Sequence, residues 1–161
     1  KALRCSSEGS GGAVQNTLFL DDLTTNTSER IWTTSSQFDV VWSCESDRVA
    51  ITHWQGEGVS EIMILDLFLK NRTQSPWLYR LPNVLPNELK SFLAPFQLRG
   101  GWAFRAVGWA PGWALVAKGI GHDYGPPCQD YGCEFWIDFS KSGGHAGYPA
   151  YLIRAYRRDA K

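Results

Sequence analysis

The sequence predicts an all-β protein, an antiparallel β-sandwich or closed barrel of about eight or nine short strands. Three observations carry that expectation. Apolar and polar residues alternate with period two over most of the chain, turn residues recur roughly every eight to twelve positions, and only one segment has helical spacing.

The elements follow in order. Phe38, Val40, Trp42 and Cys44 alternate with Asp39, Val41 and Ser43, which makes a strand with one apolar face. Glu45-Ser46-Asp47 is a turn, Arg48 to Trp54 returns as a second strand, and Gly56-Glu57-Gly58 turns again. Ile62 to Leu69 is apolar on both faces, as in a central strand covered from two sides. Leu85, Leu89, Phe92 and Leu93 stand at helical spacing, with Pro86 near the start and Pro95 just after the end, so one short helix is expected near 86–94. Trp102 to Trp109 and Trp113 to Gly119 are strands joined at Ala110-Pro111-Gly112. Cys133 to Phe139 and Tyr151 to Tyr156 are two more, linked through the Gly-rich segment 141–147. Residues 1–12 are Ser/Gly-rich and read as a loose arm on a single domain spanning 1–161.

Composition sets outer bounds. A chain of 161 residues buries roughly 70% of its unfolded surface, so it needs neither metal nor disulfide to make a core. At 43% hydrophobic and 20% charged it is neither disordered nor fibrous. The apolar run 62–69 is broken by Asp66 and falls far short of the roughly 20 residues of a membrane helix, so no transmembrane segment is expected. No N-terminal signal peptide is visible, as in a mature or cytosolic chain. Net charge is zero, which argues against a bulk nucleic-acid coat. That zero is a sum of unlike parts. Residues 1–69 hold four basic side chains against ten acidic, while 70–118 hold seven basic against Glu88 alone. Such a split suits either an anionic partner for 70–118 or two segments that neutralise one another side by side.

Four cysteines allow three pairings. Proximity favours Cys128 with Cys133, leaving Cys5 for Cys44; in the chain-entropy model these would contribute about 2 and about 4 kcal/mol. Two sequons, at Asn26 and Asn71, agree with an oxidising, glycosylating compartment. A secreted or periplasmic protein is expected. A zinc site from His122, Cys128, Cys133 and His145 is disfavoured, because only one ligand pair is closely spaced. No metal or cofactor is expected.

The most informative segment for function is 119–133, GIGHDYGPPCQDYGC, which reads as a loop between two strong strands. Asp123-Tyr124-Gly125 and Asp130-Tyr131-Gly132 repeat one polar-aromatic unit, Pro126-Pro127 stiffens it, and a 128–133 staple would hold its tip. Tyr gives a flat apolar surface with a hydroxyl; Asp gives acceptors for sugar hydroxyls. On the adjoining strand Cys133, Phe135, Ile137 and Phe139 face inwards, so Glu134, Trp136 and Asp138 face outwards, as in a sugar platform. The expected function is binding of a glycan or a partner-protein surface through Asp123, Tyr124, Asp130, Tyr131, Glu134, Trp136 and Asp138.

Catalysis finds less support. Glu134 and Asp138 stand about 13 Å apart along a strand, wider than the roughly 5 to 9.5 Å of glycosidase pairs. His122 and His145 could form an acid–base pair, with Lys118 or Arg154 steadying a phosphate, as in a small secreted ribonuclease. A hydrolase built on His122, His145 and Glu134 is therefore the alternative, beside a toxin- or inhibitor-like protein acting through the 128–133 tip. There is no G-x-S-x-G elbow, and Gly119-Ile120-Gly121 lacks the helix that a phosphate loop requires. In Arg99 to Arg105, alternation sends Arg105 to one face and Trp102 and Phe104 to the other, against a single-strand-binding surface.

Overall fold

The structure is a computed structural model that describes residues 1–10, 13–56, 59–67, 78–81, 91, 102–123, 129–139 and 150–158. The chain divides into two compact units, Lys1–Phe38 and Asp39–Lys161.

The first unit holds an antiparallel sheet of β1 (Ala2–Ser10), β2 (Ala13–Asp22) and β3 (Thr27–Thr34), in that order. The loose arm expected over residues 1–12 is corrected. Its Ser/Gly composition offers no apolar alternation, yet Ala2 to Ser10 pair residue for residue with Asp21 to Ala13. Backbone hydrogen bonding makes that ladder, and side-chain pattern has no part in announcing it. The turn after β2 is built by Asp22, whose Oδ1 accepts from the Thr24 amide (3.0 Å), the Thr24 hydroxyl (2.6 Å) and the Thr25 amide (3.4 Å). Those donors hold the Asp22 carboxyl below its ordinary range. Asn26 completes the turn at φ 53°, a left-handed value that Asn tolerates better than most residues.

The second unit carries β4 (Phe38–Trp42, all but its first residue), β5 (Arg48–Gly56), β6 (Val59–Asp66), β7 (Leu78–Arg80), β8 (Trp102–Ala110), β9 (Ala114–Asp123), β10 (Gln129–Asp138) and β11 (Ala150–Arg158). Their hydrogen-bonded order is β11-β10-β9-β8-β6-β5-β4, with β7 paired to the remaining part of β6. Eleven strands stand among the described residues, against the eight or nine expected; β1, β2, β3 and the short β7 are the ones the sequence did not single out. The β4–β5 turn falls at Glu45-Ser46-Asp47, where the Ser43 hydroxyl accepts from the Asp47 and Arg48 amides and donates to the Asp47 carboxylate. The β8–β9 turn places Gly112 and Trp113 at φ 80° and 69°, the first natural for glycine and the second held by packing.

This sheet folds back on itself. Among the described residues β6 and β8 share one bridge, the parallel pair Ser60–Ala103. Further along β8, side-chain hydroxyls satisfy the backbone: Ser60 donates to the Phe104 carbonyl (2.7 Å), and Thr52 accepts from the Ala106 amide (3.0 Å). The leaf β4–β7 thereby closes over the leaf β8–β11. Trp109 Nε1 donates to the Val41 carbonyl across the gap (3.0 Å), and Phe104 packs edge-on to Phe135. Ile62 and Ile64 from one leaf meet Leu115, Phe135 and Ile137 from the other in a buried core. The fold is all-β and sandwich-like, and the closed-barrel alternative falls, since β4 and β11 end the sheet without closing it. β6 is buried on both faces, as its two-sided apolar run requires. The helix expected near 86–94 lies outside the described residues, and no helix among the described residues is long and apolar enough to cross a membrane.

The unlike charge segments also meet. Arg80 and Arg105 from the basic stretch pair with Glu61 (3.5 Å) and Asp39 (3.6 Å) from the acidic one. In the core, Arg48 Nε donates to Asp66 Oδ2 (2.8 Å) while its guanidinium lies 4.1 Å over the Trp113 ring.

Candidate functional site

The outward face of β9, β10 and β11 gathers the exposed part of the expected site. Period two holds along β10: Cys133, Phe135 and Ile137 are buried, while Trp136 is 37% exposed and Glu134 and Asp138 are half-buried. Register extends this across the sheet, because antiparallel partners share a face. One row runs Arg105, Lys118, Glu134, Arg154 through the pairings of β8, β9, β10 and β11. The next runs Val116, Trp136, Tyr151.

The aromatic row is built by stacking. Trp136 and Tyr151 lie with ring centroids 4.8 Å apart and planes 29° from parallel, and Tyr151 is 41% exposed. A bulge between Glu134 and Phe135 shifts the β11 register there, leaving Ile153 unpaired and exposed beside them. A second bulge on β8 does the same for Val107.

The charged row is centred on Glu134. Arg154 Nε donates to Oε2 at 2.6 Å and Lys118 Nζ approaches Oε1 at 2.9 Å. Arg154 first and Lys118 second hold its carboxyl down to about 2. Such a group stays ionised near neutrality and has no proton to donate, so in a hydrolase built on His122, His145 and Glu134 it is not suited to act as the general acid. Its fixed oxygens remain competent acceptors, and the Lys118 and Arg154 heads are both substantially exposed.

The long 119–133 loop is corrected. β9 continues to Asp123 and β10 begins at Gln129, so only 124–128 connect them. The glycines that suggested a loop pair inside the ladder: Gly119 opposite Cys133, Gly121 opposite Tyr131, Gly132 opposite Ile120. A strand tolerates glycine wherever the backbone supplies both partners. The expected site consequently separates into two. His122 and Asp123 close β9 opposite Asp130 and Gln129, at the hairpin tip. Trp136 stands seven residues from Gln129 along β10, about 23 Å at strand rise. Asp130 shares the outward parity of Trp136, whereas Tyr131 has the inward parity of Cys133. The structure thus brings together Glu134 and Trp136, places Asp138 further along the same face, and leaves Asp123, Asp130 and Tyr131 at the other end. Tyr124 and His145 lie outside the described residues.

The expected disulfides are corrected as well. Cys5 and Cys44 are exposed free thiols, and Cys133 is a free, buried one. Cys133 faces the core from mid-strand, away from any loop tip, and burial pushes its thiol up to about 11. A thiol so hard to ionise is a poor partner for disulfide exchange or zinc. Cys128 lies outside the described residues. Among the described residues no group of three or more His, Cys, Asp and Glu side chains could hold a metal. Asn26 is exposed in the β2–β3 turn; Asn71 lies outside the described residues.

Sequence reasoning missed Tyr151 as the partner of Trp136 and gave Lys118 and Arg154 to a phosphate. The missing signal is register, which the 141–147 connection does not encode and the Glu134/Phe135 bulge alters. Compared with protein-family models, curated proteins and solved structures, the chain matches none.

Proposed function

We propose that this protein is a binding module whose outward β9–β11 face recognises a glycan. The observation that carries the reading is the exposed, stacked Trp136–Tyr151 pair set one row from the Lys118–Glu134–Arg154 charge cluster. A pyranose presents an apolar C–H face to an aromatic ring and hydroxyls at its rim. The row spacing of a strand puts charged acceptors and donors within one sugar's width of the rings. Each side chain is already held by a neighbour, so little rotamer freedom remains to be lost on binding. Hydrogen bonds to ionised groups are the stronger kind, which suits a shallow site.

Tryptophan fluorescence tests this directly against a panel of neutral and charged oligosaccharides. One member should quench or shift the emission, and Trp136→Ala should abolish that response while leaving the circular dichroism of the β fold unchanged. Binding that persists in Trp136→Ala would overturn the assignment. A secreted or periplasmic setting belongs to the same reading and is supported by the exposed sequon at Asn26.

A further inference from the structure

We infer that the first unit carries a second ligand site, a groove over Phe19 that takes a saccharide bearing a single carboxylate. It lies on β1–β3 and is independent of the Trp136 face.

The groove has a volume of about 620 Å³, within the range of about 300–1,000 Å³ common for small-ligand sites. Its lining is polar around one aromatic ring. In register, Arg4, Phe19 and Arg30 form one row across the three strands, and Ser6, Thr17 and Thr33 form the next. Glu8 and Gln15 pair one step further on. A bulge at Leu18/Phe19 re-aims this part of the sheet.

The two arginines beside Phe19 differ in what they already hold. Arg4 lies 4.4 Å over the ring and is fixed by Asp21 through Nε (2.9 Å) and by Ser28 through Nη2 (3.0 Å). Ser28 in turn donates to Asp21 (2.6 Å), and these donors, Arg4 foremost, hold the Asp21 carboxyl below its ordinary range. That network locks one side of Phe19 and lies outside the groove lining. Arg30 lines the groove, is exposed, and forms no ion pair among the described residues; the same is true of Glu8.

The groove therefore presents an uncompensated guanidinium beside the ring and an uncompensated carboxylate further along. Between them stand the hydroxyls of Thr17 and Thr33, 3.4 Å apart, and the amide of Gln15. A planar guanidinium matches a carboxylate bidentately. Phe19 offers an apolar surface to a sugar's C–H face, and the hydroxyls and Gln15 exchange hydrogen bonds with its hydroxyls. Glu8 accepts from a hydroxyl and repels a second anionic group. One carboxylate per ligand is thereby favoured over a densely charged polyanion.

Isothermal titration of the full chain with a glucuronate-containing disaccharide, its methyl ester, and inorganic sulfate tests the inference. The acid should bind at least tenfold more tightly than the ester, and sulfate alone should bind weakly. Arg30→Gln should erase the acid-over-ester preference, and Gln15→Trp, at an exposed strand position, should block both sugars. Run in the Trp136→Ala background, where the β9–β11 face is disabled, the titrations should still show the acid-over-ester preference, which separates this site from that face. Equal affinity for acid and ester, no effect of Arg30→Gln, stronger binding of sulfate than of the acid, or no binding of either sugar would each overturn it.

Discussion

Two guanidinium–carboxylate pairs in the second unit do the same chemistry in opposite surroundings. Arg48 and Asp66 meet inside the sandwich, with side chains 6% and 0% exposed. Arg154 and Glu134 meet on the outer face, with the arginine 62% exposed and Lys118 sharing the carboxylate. In the core, both charges have left water, and the attraction must repay a desolvation cost of several kcal/mol per ion. Arg48 spreads its charge over Trp113 and Phe139 as well, yet its Nη1 has no hydrogen-bond partner among the described residues. On the surface, water does much of that work, and the pair's value lies in orientation. The inner pair matters when broken; the outer pair matters when something docks.

Asp66→Ala is the most severe way to break that contrast. It strands a buried guanidinium and should cost about 3–5 kcal/mol in urea unfolding. Replacing both partners sharpens the point. Arg48→Met with Asp66→Leu removes the desolvation along with the attraction, and the same unfolding experiment should show a loss well short of the single variant. A double variant as unstable as Asp66→Ala would show that the pair itself, and not the orphaned charge, sets the cost.

The outer pair should respond in titration more than in stability. Glu134 in the folded chain titrates near 2 against an ordinary 4.5. A depressed carboxyl contributes stability that is complete above the ordinary value and drains away as pH falls from there towards 2. Carboxyl NMR titration of Arg154→Gln should show the Glu134 midpoint rising towards 4.5, and the stability gained between low and neutral pH should shrink with it, by less than the buried pair's loss because the site is open to water. Lys118→Gln should raise the midpoint less, since Lys118 is the lesser of the two donors. An equal or larger rise for Lys118→Gln would reverse their order.

The legibility of the sequence follows the same inside–outside division. The β10 alternation, the doubly buried β6 and the turn at Glu45-Ser46-Asp47 were readable because burial writes itself as apolar periodicity. β1 was not, since Ser6, Ser7, Glu8 and Gly9 join a ladder without burying an apolar face. Gly119 and Gly121 misled in the same way, being strand residues whose partners lie on β10. Of the site, Glu134 and Trp136 were legible as outward residues of one strand. Tyr151, Lys118 and Arg154 are their neighbours only through register, which no local pattern specifies. Cys133 shows the remaining conflict: alternation already placed it inwards, and that was better evidence than its nearness in sequence to Cys128.

The junction between β6 and β8 has a kinetic side. Among the described residues, one backbone bridge and two hydroxyls, from Ser60 and Thr52, join β8 to β5 and β6, from which it is separated in the chain by residues 67–101. The β8–β9–β10 meander needs only short-range closures, whereas the junction must close a long stretch of chain first. The meander is thus placed to form early as a cooperative unit, and native-state hydrogen exchange should find the Ala106 amide opening with the seam rather than with its own hairpin.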